Sequence, residues 1–324
     1  MRFFVILFFA LSFCFSQDEK YQLSTVAFYN VENLFDTIDD PNNGWDESMT
    51  PKGKDKWTEK KYKTKIDNLS KVIAGIGKET TNAHPTIVGL CEVENRNVLI
   101  DLVQSENLKD FNYGIVHFDS PDWRGIDVAL IFDSKRFIPR KAKTYPLEVE
   151  YKGNPSFSRD ILVVFGFLDK EPINFIVNHW PSRSGGQAES EPQRVKAAEV
   201  NKRIIDSIQN IDINAKIISM GDFNDHPDDK SLKILTSTYN KENIETPGMF
   251  NPMQELSKRG RASYLFRGFP SAIDQFVISN GLISKNSNLV YLKADVYMKR
   301  FLYTQEGRYR GYPARSMSWG VFNP

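Results

Sequence analysis

Ile217-Ile218-Ser219-Met220-Gly221-Asp222-Phe223-Asn224-Asp225 is the stretch on which the fold is decided. An apolar run that closes on Gly-Asp-x-Asn is a strand delivering a carboxylate and a carboxamide to its exit, on one side of the turn. Carboxylate oxygens suit a hard cation or an attacking water, and an amide N–H suits a phosphoryl oxygen. Four further strand ends carry groups of the same kind. The first strand runs into Asn30, and a second delivers Glu92 after Gly89-Leu90-Cys91. A third closes on Asn178-His179-Trp180-Pro181-Ser182-Arg183, and Asp274 sits within Ser271-Ala272-Ile273-Asp274-Gln275-Phe276. Taken singly, most have ordinary explanations: Asn30 as a turn cap, Glu92 as a partner of Arg96, His179 as a hydrogen-bonded imidazole. Asp274 has no such easy account, because an unpaired carboxylate in an apolar strand costs several kcal/mol. Together the five ends point to one cleft.

Working outward, residues 23–29, 85–93, 113–118, 126–132, 161–167, 173–178, 215–220 and 273–279 read as strands. Several are near-continuous apolar runs, the mark of burial on both faces. A helix begins at the N-cap Thr58, aligns Tyr62, Ile66, Leu69, Ile73 and Ile76, and stops at Gly77. A second is expected over 191–209 with Val195, Ala198, Ile205 and Ile208 inward, and a third over 95–103. Strand-dominated alternation of this kind predicts an α/β fold of two mostly antiparallel sheets packed together, with helices outside. Residues 36–56, polar and punctuated by Pro41, Gly44, Pro51 and Gly53, read as a surface loop, and the lysine-rich 52–65 as a solvated helix face.

The chain has 324 residues, a formal net charge of +1 and 26% charged residues, so no global basic field advertises nucleic acid. Met1-Arg2, the apolar Phe3 to Phe15, and Cys14-Phe15-Ser16 ahead of Gln17 have the layout of a secretory leader. The expected organisation is a cleaved signal peptide over 1–16 and one domain over 17–324, secreted or periplasmic, monomeric, with no transmembrane segment. A lipid anchor at Cys14 is the weaker alternative, since Phe13 is bulky for such a cleavage site. Loss of the leader leaves Cys91 as the sole thiol, so no intramolecular disulfide forms and the core alone must hold the fold. Asp222, Asn224 and His226 mimic the start of an EF-hand loop, but Pro227 and Lys233 stand where Gly and Glu are needed. A Gly-Lys-Ser/Thr phosphate loop and Cys/His zinc spacing are both absent from the sequence.

The ordered set Asn30, Glu92, Asn178-His179, Gly221-Asp222-x-Asn224 and Ile273-Asp274 resembles the endonuclease/exonuclease/phosphatase superfamily, whose fold is that of pancreatic deoxyribonuclease. Phe28-Tyr29-Asn30-Val31-Glu32-Asn33-Leu34-Phe35-Asp36, Arg124-Gly125-Ile126-Asp127-Val128-Ala129-Leu130 and the Asn178–Arg183 run are similar to a secreted bacterial branch of it. The resemblance implies a four-layer α/β sandwich and phosphoester hydrolysis assisted by Mg²⁺, or by Mn²⁺ or Ca²⁺. It also implies roles. Glu92 and Asn30 would hold the metal, Asp222 would activate water, and Asn224 would hold a phosphate oxygen. His179 would touch the scissile phosphate or protonate the leaving oxygen, steered by an acid such as Asp119. Asp274 completes the catalytic group, and Asn178, Arg124 and Arg183 would bind the substrate phosphate, guanidinium matching phosphate in a two-pronged way.

One departure stands out. The superfamily closes on Ser-Asp-His, whose imidazole pairs with the residue matching Asp274. Here Arg315-Ser316-Met317-Ser318-Trp319 resembles the preceding loop, the chain ends at Pro324, and none of its four histidines lies beyond His226. The expectation is therefore a final strand that is missing. Nucleic acid is the first substrate expected, since no long apolar hairpin for membrane insertion is evident. A phosphatase or phospholipase acting on inositol or sphingolipid head groups, and a non-catalytic phosphate binder, are the alternatives.

Overall fold

The computed structural model describes residues 22–314 apart from 42, 152, 267, 285–286 and 309. The expected leader over 1–16, and the segment 315–324 where the closing motif was sought, lie outside the described residues.

Four strands form the first sheet: β1 (Val26–Leu34), β2 (Ile87–Val93), β3 (Tyr113–His117) and β4 (Asp127–Asp133), in the order β1-β2-β4-β3. Six form the second, in the order β5-β6-β7-β8-β12-β9: β5 (Phe137–Tyr151), β6 (Asn154–Leu168), β7 (Glu171–His179), β8 (Ile217–Asp222), β9 (Met249–Phe250) and β12 (Asp274–Ser279). A small hairpin of β10 (Tyr264–Phe266) and β11 (Phe269–Ser271) leads into β12. Two pairs are parallel, β1 with β2 and β7 with β8, and each is joined by a crossover containing a helix. The sheets are therefore mixed, though mostly antiparallel as expected.

Helix α1 (Glu59–Gly75), its short sequel α2 (Lys78–Thr81) and α3 (Arg96–Val103) belong to the first sheet, and α4 (Gln187–Gln209) to the second. The Thr58 side chain accepts the Lys61 N–H at the start of α1, and Gly77, at φ +76°, lies just past its end. Tyr62, Ile66, Leu69 and Ile73 are buried on one face of α1 and pack in a core with Leu90, Val93 and Leu99. A second core lies between the sheets, where Cys91, Val128 and Leu130 meet Val164, Phe175, Val177 and Met220. A third joins Ile176, Ile217 and Val277 to Ala197, Ala198 and Ile205 of α4. Three cores separate four layers, helix, sheet, sheet and helix.

Four expectations are corrected. Strand β6 begins at Asn154, well before 161, because it pairs along its length with β5, which the sequence reading passed over. Strand β5 lies at the edge of its sheet, presents Lys141, Lys143, Glu148 and Glu150 outward, and is bulged around Pro139 and Pro146, so it has no apolar run to announce it. Helix α4 starts at Gln187, and its buried stripe runs through Arg194, Ala197 and Asn201. Val195 and Ile208 are only half-buried, because polar inner positions here serve hydrogen bonds. The 36–56 loop contains a 3-10 turn over Asp46–Met49 and buries both Asp46 and Met49. Lys65 is buried as well, unlike the exposed Lys52, Lys60 and Lys63.

Candidate active site

The C-terminal ends of β1, β2, β7 and β8 converge at one end of the sandwich, where antiparallel β12 begins. Strand β12 is in register with β8 so that Asp274 stands opposite Asp222, and β7 places His179 opposite Asp222 on the other flank. Gly221 is required by this close approach: a Cβ there would lie 2.3 Å from the carbonyl oxygen of Asn178.

The first sheet reaches the same point through irregular backbone. Register shifts interrupt β1 between Asn30 and Leu34, and β2 between Cys91 and Val93. Glu32, Asn33 and Glu92 all adopt positive φ there, at 52°, 54° and 63°. Such conformations are costly for residues with a side chain and collect at functional sites. The bulge takes Glu92 out of strand alternation and toward the second sheet. Asn30 Nδ2 then donates to Glu92 Oε1 at 3.3 Å and to Asp222 Oδ2 at 3.1 Å. Glu92 Oε2 accepts the Asn33 N–H at 2.9 Å, and Glu92 Oε1 lies 3.8 Å from His179 Nε2. Arg124 Nη2 is 3.7 Å from Glu92, bonds Asn33 Oδ1, and rests against the Trp45 ring at 5.4 Å. The Asn30 amide thus reaches a carboxylate 192 positions away in sequence.

The electrostatics follow from crowding acids in a dry place. Burial, and then the charge of Glu92, push Asp222 up to about 6 against hydrogen bonds from Asn224 and Asn30. Burial, and then the charge of Asp222, hold Asp274 well above the usual carboxylate range. Burial, with Arg159 and Arg124 adding, keeps His179 well below its usual range, hence neutral at pH 7. Asp274 Oδ1 and His179 Nδ1 are buried without a hydrogen-bond partner among the described residues. Hard oxygen donors that repel one another in this way fit a divalent cation.

A model described as the Endonuclease/Exonuclease/phosphatase family matches residues 25–322. The chain belongs to that family. No curated protein matches it. Among solved structures, a humanized TDP2 from D. rerio is 14% identical with a TM-score of 0.50, covering 82% of this chain and 85% of that one. A mannosyl-6-phosphatase from Bacteroides thetaiotaomicron is 18% identical with a TM-score of 0.49, covering 79% and 85%. The human Nocturnin catalytic domain with bound sulfate is 17% identical with a TM-score of 0.47, covering 69% and 84%. At 14% identity the likeness to the D. rerio structure is one of fold, an α/β sandwich.

Two expected phosphate contacts of this family member are otherwise engaged. Asn178 is fully buried toward α4: its Nδ2 donates to Ser219 Oγ and Met220 O, and its Oδ1 accepts from Trp180 Nε1 and Asn201 Nδ2. Strand alternation puts His179 on the cleft side and Asn178 on the helix side, so Asn178 shapes the strand end and offers nothing to a phosphate. Arg183 Nε donates to Asn224 O at 2.6 Å, and its Nη2 pairs with Asp229 at 3.0 Å and Asp225 at 3.3 Å. It tethers the loop that carries Asn224, itself at φ 52° with its amide on Trp180 O. Asn30 Oδ1 accepts the Glu32 N–H at 2.8 Å, which leaves it a second lone pair, while its amide nitrogen spaces the two carboxylates. Asp119 is exposed and lies 3.9 Å from His117 Nδ1, away from the steering role beside His179. His117, Asp119 and Asp127 bring ligand atoms within 4.8 Å of one another, a second group able to hold a metal. Sequence reasoning missed Arg159. It is buried in β6, pairs with Asp122 at 3.2 Å, donates to Trp180 O at 2.7 Å, and acts electrostatically on His179 and Asp222. The only hint was its charge just ahead of the apolar run 161–167.

Proposed function

We propose that this chain is an exported, metal-dependent phosphodiesterase acting on nucleic acid, with residues 1–16 as its leader and 17–324 as its catalytic domain. The observation that carries the reading is the Asn30 amide bridging Glu92 and Asp222, because it makes one centre of two sheets. Glu92 is the metal carboxylate, for Mg²⁺ or Mn²⁺, and a cation there would neutralise charge developing on the phosphoryl oxygens. Asp222 accepts the proton of the attacking water, its raised pKa bringing it nearer to working pH. Asn224 has one amide hydrogen on Trp180 O and turns the other to a non-bridging oxygen. His179, being neutral, serves as a hydrogen-bond donor to the phosphate, and Arg124 clamps it from the Glu92 side. Asp274 shares the charge of the Asp222 pair and orients it from β12.

Nucleic acid is favoured over lipid or sugar phosphates by Trp123. This side chain is 67% exposed at the tip of the loop delivering Arg124. The loop is rigid: Asp122 pairs with buried Arg159 and also accepts the Arg124 N–H at 3.0 Å. A rigid exposed indole beside a phosphate-facing guanidinium is a stacking platform for a base.

Plasmid DNA incubated with the purified protein and Mg²⁺ or Mn²⁺ should be nicked, and EDTA should abolish nicking. Metal-dependent retention of DNA without cleavage would replace the nuclease by a phosphate-binding protein. Trp123→Ala should raise KM for an oligonucleotide about tenfold and leave hydrolysis of bis(p-nitrophenyl) phosphate unchanged. Equal effects on both substrates would remove the stacking role.

A further inference from the structure

Strand β3 ends at His117, whose side chain is 3% exposed. Its Nε2 lies 3.0 Å from Asp127 Oδ2. The other Asp127 oxygen accepts the Ser120 N–H at 2.8 Å and the Ser120 hydroxyl at 2.6 Å. An ionised carboxylate can only accept, so Asp127 fixes the proton of a neutral imidazole on Nε2 and leaves a bare lone pair on Nδ1. That nitrogen faces Asp119 Oδ1 at 3.9 Å, too far for a hydrogen bond. Two ligands of one ion, each bonded at about 2.0–2.2 Å, stand roughly 3–4 Å apart. His117 is the only ion-pair partner of either carboxylate among the described residues, and the three residues bring one ligand atom each within 4.8 Å. An exposed carboxylate beside a histidine is ordinary. A nearly buried imidazole, pinned through one nitrogen and bare on the other, has the order of a metal site: carboxylate, imidazole, ion.

We propose that His117 Nδ1 and Asp119 bind a transition-metal ion, Zn²⁺ being the best match, with Asp127 orienting the imidazole from behind. An imidazole ligand favours Zn²⁺ over the Ca²⁺ and Mg²⁺ that all-oxygen sites take. Asp119 is 89% exposed, so water completes the shell. The site shares no residue with the Glu92 centre. Asp119 opens the loop that carries Trp123 and Arg124, and Asp122 ties the same loop to Arg159 at 3.2 Å further along. An ion bridging Asp119 to the end of β3 pins the loop at its entry.

The test is run in a Glu92→Gln background, so that the Glu92 centre is disabled throughout. Calorimetric titration with Zn²⁺, after removal of divalent ions, should show one equivalent bound per chain and no competition from Ca²⁺ at the same concentration. Adding Asp119→Ala should weaken binding by more than about tenfold, and adding His117→Gln should abolish it. Amide exchange over 118–124 should slow with Zn²⁺ and not slow in the Asp119→Ala chain. No Zn²⁺ binding, displacement by equimolar Ca²⁺, or affinity undiminished in either variant would overturn the site. Should the His117→Gln chain not fold, Asp119→Ala decides alone, since that side chain is exposed and its loss leaves the core untouched.

Discussion

Asp222→Asn is expected to lower turnover about a thousandfold, since it removes the general base while keeping the size and position of the side chain. The amide still accepts the Asn224 N–H, which now reaches Asp222 Oδ1 at 2.9 Å, so the turn after β8 persists. Stability relative to the parent should rise with pH. The Asp222 carboxyl titrates higher in the folded state, so ionising it costs stability. That cost is absent below the ordinary value of 3.8 and complete above about 6. Measured in EDTA, the variant should therefore gain on the parent between pH 4 and pH 7 by on the order of 2–3 kcal/mol. Its starting point is lowered at both pH values, because its amide nitrogen faces the Asn30 Nδ2 that donated to Asp222 Oδ2. Urea titrations at the two pH values, beside kcat on a dinucleotide, check both halves. Loss of activity with no gain on the parent between pH 4 and pH 7 would recast Asp222 as a structural residue.

Arg194→Met is expected to be the most destabilising single change, costing about 3–5 kcal/mol. Arg194 is fully buried in α4, and its Nε stands 2.7 Å from Asp225, an ion pair whose angle falls short of a hydrogen bond. Its other nitrogens donate to Ser190 Oγ at 2.8 Å and Gln187 O at 3.0 Å. Without it Asp225 stays buried, with Ser231 Oγ at 2.6 Å, Gln187 and the more distant Arg183 as its remaining contacts. Because Asp225 follows Asn224, turnover should fall too, through displacement of the loop. Adding Asp225→Asn should recover much of the stability, since it removes the stranded charge. Urea denaturation of the two variants and the parent gives the coupling. A double variant no more stable than Arg194→Met alone would show that the arginine matters through packing.

The sequence by itself determined the family, the strands and the polar residue at the end of each, because a buried strand must be apolar and any acid closing one is conspicuous. Glu92, Asp222 and Asp274 could be named without coordinates for that reason. Strand β5, the polar inner face of α4 and Arg159 could not, because an edge strand and a buried arginine owe their stability to partners distant in the chain. Only the tertiary structure decided direction. Asn178 and His179 are neighbours in sequence, yet strand alternation sends one to the helix layer and the other to the cleft. Glu92 reaches the same cleft only because a bulge at φ 63° turns it there. Side-chain aim depends on register, bulge and partner, and each of these is set by contacts between strands that the linear order does not contain.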